Sequence, residues 1–372
     1  MLAVAAWVVV SQAAQADDKT RRSQKWLRFS SVLGYIFPMR KPAYLHKGSK
    51  IYLVAPSFGC TTEPYLTRLA VSIKNLKKMG YEVIEGPNIH LEDGVAASNS
   101  AKARAKEIMD AFASDADLIL SVGGGETMCE ILPYIDFEKI KNLPPKWFMG
   151  FSDNTNLTAI IAMLSDTMTV YGPCAPQFFM KKIRLSELDG LRMLSGERHF
   201  EGYPKYSITK SNKERPLWTY RLTQPKIITP HKFKAPVEGT LFGGCMDCLI
   251  NICGTKYDKV AEYNAAHPEG IIWFLEACDL NPLSLRRACF QLKEAGWFQN
   301  AKAILFGRPL CLNAEIMEIN RFNACLDILQ DLNIPILFDI DLGHISPSLP
   351  IMTGAKAKVS LVKGNVIFDY LD

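Results

Sequence analysis

Between residues 48 and 172, short apolar runs alternate with longer amphipathic ones, and this alternation constrains the fold more than any other feature of the chain. KIYLVAP (50–56), YEVIEGP (81–87), ADLILSV (116–122) and KWFMG (146–150) have strand length. YLTRLAVSIKNLKKMG (65–80), residues 101–113 and NLTAIIAML (156–164) place apolar side chains at helical spacing, with Gly80 as a stop signal, and TMCEILPYI reads as a helix start. Strands that are apolar almost throughout are covered on both faces. The pattern therefore predicts a parallel sheet flanked by helices over residues 48–180.

Residues 181–235 are polar and rich in Lys and Arg, and read as an irregular connector that carries a lid or a substrate-facing loop. From residue 236 the pattern resumes with more strand: VEGTLFGGC, GIIWFLEACD, KAILFGRP and IPILFDIDLGH, with two helical stretches among them. AKAKVSLVKGNVIFDYL reads as a hairpin about Lys363-Gly364-Asn365. The expectation is an α/β protein with a parallel-sheet domain (48–180), a connector (181–235) and a β-rich α+β domain (236–372). Residues 1–47 are set apart as an extension.

Charge separates the extension from the body. Of the net +5, residues 1–47 carry +6 and the remaining 325 residues −1. A body without a concentrated basic field gives no reason to expect a nucleic acid partner. The apolar run Leu2–Val10 is too short to span a bilayer, which takes about 20 residues. With Ala14-Gln15-Ala16 it resembles a signal peptide, yet no Lys or Arg precedes it. The segment RRSQKWLRFSSVLGYIF fits an interfacial helix, so membrane contact is expected only if this extension is an anchor; otherwise it is dispensable, with Met39 at the start of the globular pattern. Ten cysteines scattered through apolar segments read as buried thiols in the cytoplasm, with export as the alternative if residues 1–16 act as a signal. Cys245-x-x-Cys248 with Cys253 is one short of a Cys₄ zinc set, so no metal or cofactor is expected.

Four places carry the chemistry. Ser152 follows the strand KWFMG and precedes an apolar helix; a serine on such a turn is exposed at the strand end, with free N–H groups beside it. The alternative is that Ser152 or Asp153 merely caps the helix. Gly123-Gly124-Gly125 closes another strand and either presents N–H groups to an anion or forms a plain turn. Glu276 ends the apolar run IIWFLE, where a carboxylate needs a partner: a histidine, Arg286, Arg287, or a path to solvent. Asp279 is its nearby rival. Of six histidines, only His344 follows an apolar strand and sits among glycine and proline turns.

The ordered set IYLVAPS, LSVGGGETM, GFSDNT, EGTLFGGC, WFLEACD and LGHISPSLPIMTGAKA resembles the LD-carboxypeptidase family of serine peptidases, which includes a microcin C immunity branch. The resemblance implies Ser152 as nucleophile, His344 as general base and Glu276 as the triad acid. It implies an oxyanion hole of the Asp153 and Gly124 N–H groups. It also implies two domains with the site in the cleft between them, a homodimer, and no cofactor. The implied substrate is a muropeptide tetrapeptide that loses its terminal D-alanine, or else an amide in a peptidyl-nucleotide antibiotic, on whose base Trp218 or Tyr220 would stack. A two-lobed binding protein without catalysis is the remaining alternative. For a substrate carboxylate, Arg308, Arg286 and Lys181 stand as equal candidates.

Overall fold

The computed structural model describes residues 39–209 and 212–371. The signal-like run Leu2–Val10 and the basic segment after it lie outside the described residues. Residues 39–47, expected as part of the extension, pack on the body: Arg40 Nη2 donates to Thr167 Oγ1 at 2.7 Å, and Trp147 Nε1 donates to Ala43 O at 2.8 Å.

The first half forms the expected parallel sheet. β1 (Lys50–Val54), β2 (Glu82–Glu85), β3 (Leu118–Ser121), β4 (Trp147–Gly150) and β5 (Thr169–Tyr171) run parallel in the order β5-β4-β3-β1-β2. Every residue of β3, β4 and β5 is buried, and β3 and β4 accordingly read as strongly apolar runs. The helix Ala101–Ala113 starts where the Ser100 side chain accepts from Ala103 N. The helix Thr155–Ser165 is apolar all round because it packs on both sheets: against β4 and β5 on one side and the first strand of the second half on the other.

Residues 181–235 are more regular than their composition predicts. They hold the helix Leu185–Leu194 and four short strands, β6 (His199–Glu201), β7 (Lys205–Tyr206), β8 (Gln224–Pro225) and β9 (Thr229–His231). Strands of two or three residues are too short for alternation to be read in the sequence, and the partners of β6 and β9 lie far away in the chain. β7 and β8 pair as a ribbon, whereas β6 and β9 form opposite edges of the second sheet.

That sheet continues with β10 (Val237–Cys245), β11 (Ile271–Glu276), β12 (Ala301–Gly307), β13 (Ile336–Ile340), β15 (Lys356–Val362) and β16 (Asn365–Tyr370), in the order β6-β16-β15-β10-β11-β12-β13-β9. Its centre, β10 to β13, is parallel. β15 and β16 form the expected hairpin, turned by positive φ at Lys363 and Gly364. β14 (Ile351–Thr353) crosses back and pairs antiparallel with β5, so the second half supplies an edge strand to the first sheet. Among the described residues, no helix is long and apolar enough to cross a membrane.

Candidate active site

The loops that leave β3, β4, β11 and β13 meet at one corner. β4 ends at Gly150, where a Cβ would fall 2.5 Å from the Asn154 side chain, so only glycine lets the chain turn there. Ser152 follows with φ +65°, a strained conformation for a residue with a side chain. Asn154 ties this elbow to the glycine turn through Nδ2, which donates to Gly123 O and Phe151 O, both at 2.9 Å. Gly124 lies directly against the serine: a Cβ there would sit 3.1 Å from Ser152 Oγ and 3.7 Å from Asp153 N.

Neither Ser152 nor Asp153 caps the helix that begins at Thr155; its N-cap is Asn154, without a side-chain bond. The buried Asp153 carboxylate turns aside and accepts from Ser57 Oγ at 2.5 Å, Met128 N at 2.9 Å and Asn156 Nδ2 at 2.9 Å. Burial pushes its carboxyl pKa up, against the pull of these donors and of Arg104.

Glu276 is the last residue of β11 and is 1% exposed. Its partner is His344: Nδ1 lies 2.9 Å from Oε2. Arg286 pairs with Asp327 instead, Arg287 with Ser284 Oγ, and the rival Asp279 is exposed. His344 Nε2 in turn lies 2.9 Å from Ser152 Oγ, 192 positions away in sequence. Gly343 makes room for this contact. It has φ +101°, and a Cβ would fall 2.6 Å from Glu276 Oε2. Burial works to lower the His344 pKa, but the charge of Glu276 and bonds from Cys278 and Glu276 outweigh it and hold the imidazole well above its ordinary value.

Tyr171 was not among the residues singled out from the sequence. It ends β5, 1% exposed, and stands in register beside Gly150. Its hydroxyl accepts from Ser152 N at 2.9 Å and donates to Glu276 Oε1 at 2.5 Å. A tyrosine finishing a buried strand before Gly-Pro was the available signal. Its meaning depends on knowing that β5 lies next to β4.

A cavity of about 830 Å³ opens beside His344, with Arg68, Phe179, Glu187, Trp218 and Tyr220 in its wall. None of the three cations considered for a substrate carboxylate lines it. Arg308 is buried against Asp341 at 2.5 Å, Arg286 is paired on the surface, and Lys181 is exposed. Arg68 does line the cavity. Its guanidinium lies over the Phe179 ring at 4.5 Å, with Nε donating to Pro216 O and Nη2 to Trp218 O. Cys245 and Cys248 open the helix Met246–Ile252, where Cys245 Sγ lies 3.2 Å from Asp247 Oδ2 and Cys248 Sγ 3.7 Å from Ser152 O. All ten cysteines are free. Among the described residues, no group of three or more His, Cys, Asp or Glu is arranged to hold a metal ion.

Comparison with known proteins defines the class. Residues 51–172 match the LD-carboxypeptidase N-terminal domain and residues 238–359 the LD-carboxypeptidase C-terminal domain. The chain belongs to the LD-carboxypeptidase family, a family of peptidases. Among its relatives are the microcin C7 self-immunity protein MccF of Escherichia coli (23% identical, covering 79% of this chain and 86% of the relative) and the putative carboxypeptidase YocD of Bacillus subtilis (26%, covering 86% and 96%). A probable murein peptide carboxypeptidase of Bacillus subtilis is 25% identical, covering 88% and 94%. The fold matches an MccF-like protein from Bacillus anthracis with a TM-score of 0.74 at 21% identity, covering 89% of this chain and all of that one. MccF in complex with glutamyl sulfamoyl guanosine matches with the same score at 23% identity, covering 89% and 99%.

Proposed function

We propose that this chain is a serine-type LD-carboxypeptidase that hydrolyses the amide joining an L-centre to a terminal D-alanine in muropeptide tetrapeptides. The hydrogen-bonded series Ser152–His344–Glu276 at the edge of the cavity carries this proposal. With His344 neutral, Ser152 Oγ–H donates to Nε2 while Nδ1–H donates to Glu276. The imidazole takes the hydroxyl proton as Oγ attacks the scissile carbonyl, and returns it to the leaving amine. Glu276 holds the tautomer and stabilises the imidazolium. We assign the N–H groups of Asp153 and Gly124 to the developing oxyanion, each worth roughly 3 kcal/mol if well aimed. Water then releases the acyl group.

Arg68 is the one Lys or Arg among the described residues lining the cavity, and we assign it to the substrate carboxylate. A second substrate class has its own support: Trp218 and Tyr220 line the same cavity, as a base-stacking wall would require, and MccF is a relative. For that class the scissile bond is an amide in a peptidyl or aminoacyl nucleotide. Parallel incubation with a disaccharide tetrapeptide and with processed microcin decides between them. Release of D-alanine, absent with Ser152→Ala, is the expected result. Cleavage of the nucleotide amide alone would move the chain to the second class, and cleavage of neither would leave the two-lobed binding protein.

A further inference from the structure

The triad accounts for one oxygen of Glu276 and for the side chain of Ser152. The other oxygen of the acid and the backbone N–H of the serine both end on a single atom, the Tyr171 hydroxyl, at 2.5 and 2.9 Å. We infer that Tyr171 is a positioning residue for the reaction proposed above: its phenol seats the strained Ser152 elbow and shares the charge of Glu276, and thereby sets the basicity of His344.

The surroundings leave the phenol little freedom. Its ring is packed edge-on against Phe151 at 6.3 Å and tilted against Phe274 at 5.9 Å, and Phe151 itself lies 5.2 Å from the His344 ring. Burial, with the charge of Glu276 added, holds the phenol far above its ordinary pKa, so it remains a donor. Without the hydroxyl, the Ser152 N–H loses its partner at a φ of +65°, where no regular element supplies another. Glu276 Oε1 loses its donor as well, and the whole charge of the carboxylate then falls on the imidazolium. The other groups facing this pair are Cys245 and Cys248 toward Glu276, and Cys278 and Glu126 toward His344; all of them stay unchanged when only residue 171 is altered.

The test uses the labelling rate of a fluorophosphonate probe across pH, which reads the serine and its base without a choice of substrate. Tyr171→Phe keeps the ring and removes the oxygen. Its rate is expected to fall about tenfold to a hundredfold. The acidic limb, where His344 deprotonates, is expected to move up by roughly half a pH unit to one unit, because an unshared Glu276 holds the imidazolium more tightly. Replacing Tyr171 by 3-fluorotyrosine strengthens the donor at the same shape, and the limb is expected to move down. A rate that falls with the limb unmoved in both proteins reduces Tyr171 to a packing residue and overturns the inference, as does wild-type behaviour in both. If Tyr171→Phe does not fold, the direction of the fluorotyrosine limb decides alone. Ser152→Ala runs alongside. If it still labels, the serine mechanism itself fails and the role of Tyr171 falls with it; if it does not, a null result at 171 counts against Tyr171 only.

Discussion

The corner that holds Ser152 and the wall of the cavity beside it are built differently. At the corner each functional oxygen has a fixed partner. Glu276 has one on each oxygen, Asp153 has four donors counting the Cys248 thiol, and the serine N–H is held by Tyr171. These groups sit at the ends of buried strands. The cavity wall mixes Arg68, held by the carbonyls of Pro216 and Trp218, with half-buried aromatic side chains and with Ile208, which is 62% exposed. Eight of its residues come from 181–235: Ser186 and Glu187 from the helix Leu185–Leu194, and the other six from loops between the short strands β7 and β8. The ends of buried strands carry the proposed chemistry, and a wall of mixed helix and loop carries the proposed selection, a division in which substrate preference would change without disturbing the reaction.

Substitutions test that division, the largest effect first. Ser152→Ala is expected to lower kcat/KM by roughly 10⁴-fold or more, with thermal stability near wild type; a smaller loss would mean that the corner is not where the bond breaks. Gly124→Ala places a Cβ 3.0 Å from that of Ser152, so the two backbones must part. A fall in kcat of about tenfold to a hundredfold with KM unchanged is expected, measured by steady-state kinetics. On the cavity side the pattern should invert. Arg68→Ala is expected to raise KM about tenfold for a substrate with a free carboxylate, leave kcat within about twofold, and do little to the corresponding carboxamide.

The pH profile joins the two regions. The proposed reaction needs neutral His344, whose pKa is held above its ordinary value of about 6.5. Activity is therefore lost as pH falls through a limb lying above that value, about tenfold per unit below it. A limb below pH 6 would contradict the pairing with Glu276. The smallest effect belongs to Arg286→Ala, which breaks a solvent-exposed pair with Asp327 at 2.9 Å. A stability loss under about 1 kcal/mol and unchanged kinetics are expected by denaturant titration and assay.

What was legible in the sequence follows the same division. Ser152, Glu276 and His344 stood out because each ends or follows a strand-like run rich in apolar residues, where such a residue has a reason to be noticed. The structure brings the three together, although Glu276 and His344 are 68 positions apart. Gly124 was visible as one of three glycines at a strand end, but its place against Ser152 depended on β3 lying next to β4. Tyr171 was hidden for the same reason. Arg68 lies on a helix with the pattern of any amphipathic surface, and nothing local marks it as facing a cavity. The strands β6 to β9 were missed because two or three residues are too few to show a period; pairing with distant strands makes β6 and β9 regular, and pairing with each other does so for β7 and β8. The β15–β16 hairpin was read correctly because its turn residues and its alternation are both local.

A double-substitution cycle on Ser152 and His344, read as kcat/KM on whichever substrate the wild type cleaves, tests most directly whether hydroxyl and imidazole act as one device. Coupled through the 2.9 Å contact between Oγ and Nε2, Ser152→Ala and His344→Ala should each remove nearly all activity, and the double variant should be no worse than either alone. Losses that multiply in the double variant would contradict the account, since the two side chains would then be contributing independently.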